Sequence, residues 1–177
     1  MSTCVYVAAS LDGFIAKKDG NIDWLIDLPN PDGSDFGFNE FMKEIDAVIM
    51  GRNTFEKVLS MNTWIYTKHV FVLSNKLKEI PRELHGKAEI IRGYPKTVLC
   101  KLEDRGYCNF YVDGGITIQN FLKDDLIDEL IISTIPILLG EGIPLFGNIH
   151  RELKFEYVKT EVLNNIIIKN FYKRVRK

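Results

Sequence analysis

The chain has 177 residues, 46% of them hydrophobic and 27% charged, with a formal net charge of −1. That length suits one domain over residues 1–177, able to bury roughly two thirds of its unfolded surface, and the balanced charge argues against a nucleic-acid or membrane surface. Cys4, Cys100 and Cys108 form no close-spaced pair and read as reduced thiols; with no basic leader and no apolar run of about 18 residues, the chain reads as soluble and cytoplasmic.

In chain order, the first apolar run is Cys4–Ala9, closed by Ser10 and the turn-like Asp12-Gly13. The stretch Asp27–Gly37, with two Pro, three Asp and two Gly, is a long irregular segment of a kind that is often functional in a compact domain. Phe38, Phe41, Met42 and Ile45 then recur at helical spacing. Ala47–Met50 is a strand run ending at Gly51, and Arg52, Asn53 and Thr54 open a helix after it. His69–Leu73 ends at Ser74-Asn75. Val98, Leu99 and Leu102 mark another helix. Phe110–Val112 ends at Asp113-Gly114-Gly115, and Ile118, Phe121, Leu122 and Leu126 are helical again. Short β-rich runs closed by turn residues suit strands buried on both faces. Their alternation with helices predicts an α/β domain on a mostly parallel sheet.

The last quarter differs. Glu129–Pro136 reads as a strand, broken by Leu139-Gly140-Glu141-Gly142. Phe155–Val162 and Ile166–Val175 are extended segments around Asn164-Asn165, a predicted hairpin turn because Asn tolerates positive φ. An antiparallel C-terminal hairpin makes the sheet mixed. The closing run Lys173, Arg174, Val175, Arg176 and Lys177 reads as the solvated end of the last strand.

Three strand ends carry candidate chemistry. At Gly51-Arg52-Asn53-Thr54, free N–H groups at a helix start and a guanidinium form a potential anion site; a plain cap at Asn53 or Thr54 with a solvent-facing Arg52 fits equally. Leu73-Ser74-Asn75-Lys76 offers a hydroxyl, an amide and an ammonium, or simply a polar turn. Asp113-Gly114-Gly115-Ile116-Thr117 is strand, Gly-Gly, helix, which allows a ligand close to the backbone or makes only a tight turn. Together they fit the rule that open α/β sheets bind ligands beyond the carboxyl ends of their strands. The sequence holds no P-loop, no G-x-G-x-x-G and no nucleophile elbow, and His69, His85 and His150 lack metal-ligand spacing.

Val48–Glu56 closely resembles the V-I-M-G-R-x-T-[WF]-E segment of dihydrofolate reductases. Ala8–Ala16 resembles the S-L-D-G-x-I-A opening of the riboflavin-biosynthesis reductase domain. Leu126–Leu130 followed by Ile135–Phe146 resembles that domain's D-E-L … P-x-L-L-G-x-G-x-P-L-F signature. The resemblance implies a dihydrofolate-reductase-like fold: a mixed, mostly parallel central sheet flanked by helices, with an antiparallel C-terminal hairpin. It also implies an NADPH-dependent oxidoreductase.

Residue by residue, Ala8 and Ile15 would line the nicotinamide pocket, with Gly20 and Asn21 in a mobile loop, Ala16–Asp27, that closes over it. Gly51, Arg52, Asn53 and Thr54 would bind the diphosphate and the 2′-phosphate side, and Leu73, Ser74 and Asn75 would flank the adenosine ribose phosphate. Gly114, Gly115, Ile116 and Thr117 would contact the diphosphate through a cis Gly-Gly bond. Trp24, Phe38 and Asp113 fall on the substrate side, Ser133 matches a hydroxyl in the catalytic acid's network, and Asp35 is the candidate acid. The small-molecule substrate implied is of the 5-amino-6-(5-phosphoribosylamino)uracil type, with dihydrofolate as the rival and a non-catalytic NADPH-binding module as the reading of another class. The related domains commonly pair, so a homodimer is expected.

Overall fold

The structure, a computed structural model, describes residues 1–31, 33–61 and 63–176. The apolar run near the N-terminus forms β1 (Ser2–Ser10), which turns through Gly13 into the short β2 (Phe14–Ala16). Two short helices follow, α1 (Asp23–Ile26) and α2 (Phe38–Lys43). The β–α alternation then runs β3 (Ala47–Gly51), α3 (Arg52–Ser60), β4 (His69–Leu73), β5 (Ala88–Ile91), α4 (Pro95–Glu103), β6 (Asn109–Asp113) and α5 (Gly115–Lys123). Pro95 opens α4, where its missing N–H is not needed and its φ is already helical. The chain finishes with β7 (Glu129–Ile135), β8 (Ile143–Pro144), β9 (Phe155–Leu163) and β10 (Ile167–Arg174).

Eight strands form one sheet in the order β5-β4-β3-β6-β1-β7-β10-β9, while β2 and β8 make a separate ribbon. Every pairing from β5 to β7 is parallel, and β10 runs antiparallel to both β7 and β9. Asn164 and Asn165 both take positive φ, 50° and 56°, which closes the β9–β10 hairpin with the twist that two-residue turns require. The fold is thus the mixed, mostly parallel sheet that the sequence predicts.

Alternate residues of the central strands face opposite layers. Ile49, Phe71 and Val112 pack with Val98 and Leu102 of α4 and with Ile118 and Phe121 of α5. Val48, Met50, Val70 and Val72 face the other way, toward Met42 of α2 and Phe55 and Val58 of α3. Further along that second face, Trp24 and Phe36 close over Ala8, Ile135 and Ile167.

Two sequence expectations are corrected. Leu126 lies beyond α5, which ends at Lys123 because Asp125 adopts φ 57°. The basic C-terminal run is not simply solvated: Arg174 Nε donates to Asp125 Oδ1 at 2.7 Å with its side chain buried, and Arg176 pairs with Asp128. These contacts tie the end of β10 to the α5–β7 connection. Lys177 of that run lies outside the described residues. Among the described residues, no helix is long and apolar enough to cross a membrane.

Candidate functional site

Parallel pairing aligns the carboxyl ends of three strands. Gly51 of β3 lies opposite Leu73 of β4, and Met50 lies opposite Asp113 of β6. The nine-residue helices α3 and α5 start directly beyond β3 and β6, so their free N–H groups share one edge of the sheet. The two turns interlock. A Cβ on Gly51 would stand 2.7 Å from Thr117 Oγ1, and a Cβ on Gly114 only 2.0 Å from Thr54 Oγ1. Each glycine therefore makes room for the threonine of the opposite helix. The result is a small polar cradle with two threonine hydroxyls between two positive helix ends, a donor set suited to phosphate oxygens.

Gly114 has φ 90° and ψ 136°, and the Gly114–Gly115 peptide is trans. This corrects the expected cis bond: the close approach comes from the positive φ of Gly114. A Cβ on Gly115 would meet Ile15 Cδ1 at 2.9 Å, so Ile15 and the β6–α5 turn are in contact. Ile116 is exposed at the start of α5, while Thr117 is buried.

Arg52 stands at the first residue of α3 and donates through Nη1 to both Glu56 carboxylate oxygens, at 2.9 and 3.1 Å. Asn53 is exposed beside it. At the end of β4, the Ser74 hydroxyl accepts from the N–H of Lys76 and of Leu77, at 3.1 and 3.0 Å, and so shapes the turn that presents Asn75.

The ribbon side accounts for the family-like motifs physically. Asp12 Oδ1 accepts from the Ser10 hydroxyl at 2.6 Å and from the Leu139 N–H at 3.1 Å, and Oδ2 accepts from the Gly140 N–H at 2.7 Å. The Ser10 hydroxyl and these N–H groups hold the Asp12 carboxyl below the usual carboxylate range. A Cβ on Gly142 would strike the Ala16 carbonyl at 2.3 Å. The S-L-D-G and L-L-G-x-G segments are thus the two halves of one fastening, which sets Ile15 against Gly115.

On the second face of the sheet, Ala8, Ser133, Lys169 and Glu161 are lateral neighbours across β1, β7, β10 and β9. Tyr6, two residues before Ala8, lies on the same face, stacked on Phe41 at 4.7 Å and edge-on to Phe38 at 5.8 Å. Trp24 is buried beside Ala8, and its Nε1 has no hydrogen-bond partner among the described residues. Gly20 takes positive φ in the turn before α1, and Asn21 Oδ1 accepts from the Asp23 N–H at 2.7 Å, which braces Trp24 from below.

The candidate acids behave unequally. Asp35 Oδ2 accepts from the Asn39 N–H at 2.8 Å and Oδ1 from the Gly37 N–H at 2.9 Å. Those backbone donors lower its pKa. The exposed carboxylate thus holds the N–H groups at the start of α2. Asp113 is the opposite case. Although the residue keeps some exposure, its carboxylate sits among rings and accepts from the Tyr66 hydroxyl at 2.6 Å. Burial raises its pKa, with Tyr66 opposing.

Sequence reading missed Tyr6, Tyr66, Tyr111 and, above all, Lys169. Lys169 is only 2% exposed, and its Nζ donates to the Tyr6 hydroxyl at 2.9 Å and to the Phe36 carbonyl. Its available signal was slight: one Lys in the run Ile166-Ile167-Ile168-Lys169, where period-two alternation puts it on the face of Ile167 and Phe171 while its residue type argues for solvent.

The sheet order, the glycine–threonine cradle and the C-terminal hairpin define a dihydrofolate-reductase-like domain. The chain belongs to the RibD C-terminal domain family, whose profile matches residues 3–169. It is similar to a putative riboflavin biosynthesis protein from Shewanella sp. PV-4, with 45% identity and a TM-score of 0.96 over 99% of this chain and 100% of that one. A diaminohydroxyphosphoribosylaminopyrimidine deaminase/5-amino-6-(5-phosphoribosylamino)uracil reductase from Thermotoga maritima shares the fold at TM-score 0.73 and 19% identity, covering 98% of this chain and 56% of that one. Dihydrofolate reductase from Enterococcus faecalis, complexed with NADP(H), shares it at TM-score 0.70 and 19% identity, covering 99% of this chain and 97% of that one.

Proposed function

We propose that the chain is an NADPH-dependent reductase of the 5-amino-6-(5-phosphoribosylamino)uracil reductase type. The observation that carries this reading is the reciprocal packing of Gly51 on Thr117 and of Gly114 on Thr54 between two helix N-termini. Those threonines, with Asn53 and the free N–H groups of α3 and α5, would hold a diphosphate. Arg52 would take the 2′-phosphate after leaving Glu56, and the Leu73-Ser74-Asn75 turn would flank the ribose. Ala8, Ile15 and Gly115 would bound the nicotinamide, under Trp24. When bound, NADPH supplies the hydride for reduction of a C=N or C=O carbon in a small heterocyclic substrate.

Membership of the RibD C-terminal domain family supports this substrate class. True dihydrofolate reduction is disfavoured by Asp35, whose carboxylate is taken up in capping α2, and by the buried ammonium of Lys169 beside Ser133. A homodimer is part of the proposal, because β9 is the outer strand of the sheet and Tyr157, Val158 and Val162 are exposed on it.

The test is NADPH oxidation in the presence of 5-amino-6-(5-phosphoribosylamino)uracil or of dihydrofolate. Turnover of the uracil supports the reading. Turnover of dihydrofolate alone, with inhibition by methotrexate, points to the rival enzyme, and NADPH binding without oxidation of either overturns the reductase assignment.

A further inference from the structure

The Phe36 carbonyl oxygen is held by two donors at once: the Tyr6 hydroxyl at 2.7 Å and the Lys169 ammonium. Phe36 adopts φ 53° and Gly37 φ 84°, so the chain is forced through two successive left-handed residues to bring that carbonyl down onto the sheet. Gly37 lies so near that a Cβ there would stand 3.2 Å from Lys169 Nζ. Among the described residues, the carboxylate oxygen nearest the ammonium is Glu161 Oε2, at 3.9 Å, and the partners at hydrogen-bond distance are the neutral oxygens of Tyr6 and Phe36. The cost of burying an ammonium this way is otherwise hard to account for. Lys169 also neighbours Ser133, which neighbours Ala8, so the pair borders the pocket assigned above to nicotinamide and substrate.

We infer that Lys169 and Tyr6 form the substrate's acceptor-binding pair, and that the Phe36 carbonyl marks the position at which they receive a carbonyl or anionic oxygen of the substrate. The inference rests on the reductase reading and deepens it, naming the substrate class as one that presents an oxygen acceptor at this point. The segment carrying Phe36 is otherwise tied locally, by Asp35 to Gly37 and Asn39 and by Ser34 to Phe36, and Phe36 packs at the margin of the cluster around Trp24. It can therefore exchange its carbonyl for a ligand's without unpacking the sheet. The ammonium keeps its favourable charge-assisted bonds in both states. It is the wrong partner for the donor-rich 2-amino edge of a pterin, which gives a physical reason for discrimination against dihydrofolate.

The experiment is calorimetric titration of the protein, with and without saturating NADP+, using 5-amino-6-(5-phosphoribosylamino)uracil and its dephosphorylated riboside. Wild type is compared with Lys169→Met and Tyr6→Phe, and folding of each is checked by thermal denaturation. The oxidised cofactor prevents turnover. Lys169→Met should weaken the uracil at least about tenfold and Tyr6→Phe severalfold, while the NADP+ affinity of both stays within about twofold of wild type. A loss confined to the phosphorylated compound assigns the acceptor as phosphate, and an equal loss with the riboside assigns it as a ring carbonyl. Unchanged uracil affinity in Lys169→Met would make Lys169 a clamp for Phe36 only and overturn the inference. So would a wild type that binds NADP+ but neither uracil compound, whereas absence of NADP+ binding would count against the cofactor reading instead.

Discussion

Gly114 and Thr54 are fitted to each other: a Cβ at residue 114 would lie 2.0 Å from Thr54 Oγ1, and Gly114 holds φ 90°, a state L side chains rarely adopt. The same relation recurs in weaker form between Gly51 and Thr117, at 2.7 Å and without the positive φ. This pairing brings the ends of β3 and β6 together and sets two threonine hydroxyls beside two helix starts.

Gly114→Ala should therefore lower stability by about 1–3 kcal/mol, the usual range for a residue forced into such a backbone state, and should abolish NADPH binding. Gly51→Ala should be milder in stability, because only the Thr117 side chain has to turn, yet it should still weaken NADPH. Denaturant unfolding and cofactor titration of both variants check this. Equal stability loss in the two would contradict the distinction.

Arg52 is engaged by Glu56 through an exposed i,i+4 ion pair, a contact worth only about 0.3–0.5 kcal/mol. Glu56→Gln should free the guanidinium and tighten NADPH about twofold, with no effect on NADH. Arg52→Ala should raise the Michaelis constant for NADPH far more than for NADH. Steady-state kinetics with both cofactors decides; equal losses in Arg52→Ala would remove its role at the 2′-phosphate.

Asp113 gives a pH dependence whose sign follows from burial. Its folded pKa is raised, so the folded state binds the proton more tightly than the unfolded chain does. Stability is then greatest at pH values below the unfolded pKa and declines as pH rises from there through the folded value. Asp113→Asn keeps an oxygen that accepts from Tyr66 and carries no charge. It should match or exceed wild type in stability at neutral pH and flatten the decline that accompanies rising pH. Tyr66→Phe should do the reverse at neutral pH, costing about 1–3 kcal/mol by leaving the carboxylate without its donor. Melting temperatures from pH 4 to pH 8 would reveal either pattern.

Asp12 has the opposite sign. Its folded pKa is lowered by the Ser10 hydroxyl and the N–H groups of Gly140 and Leu139, so its contribution is present above the unfolded pKa and lost as pH falls through the folded one. Asp12→Ala should release the Leu139–Gly140 segment from the β1–β2 turn. Hydrogen exchange should show faster exchange at the amides of Leu139 and Gly140 in the variant, with β3 and β6 unchanged.

Much of this architecture was legible in the sequence because the central strands are short β-branched runs whose ends are marked by Gly, Ser or Asn. His69–Leu73 is read without error, and the Asn164-Asn165 turn follows from the tolerance of Asn for positive φ. What escaped lies where local pattern and tertiary context disagree. β5 is four residues with Glu89 inside it, and β2 and β8 have three and two, too few to show a period. Lys169 and Tyr6 carry no motif. They meet at the carbonyl of Phe36, whose positive φ no periodicity announces. Asp35 is a related case: a carboxylate near a helix start looks the same in sequence whether it holds backbone N–H groups or serves a reaction.

The edge formed by β3, β4 and β6 is proposed to hold a 2′-phosphorylated nicotinamide nucleotide. The most direct measurement is titration of the purified protein with NADPH and with NADH, following the fluorescence of the reduced nicotinamide. Saturable NADPH binding in the micromolar range is expected, with NADH at least about tenfold weaker, the difference supplied by one charge-assisted contact from Arg52. Failure to bind either nucleotide, or equal affinity for both, would contradict this proposal.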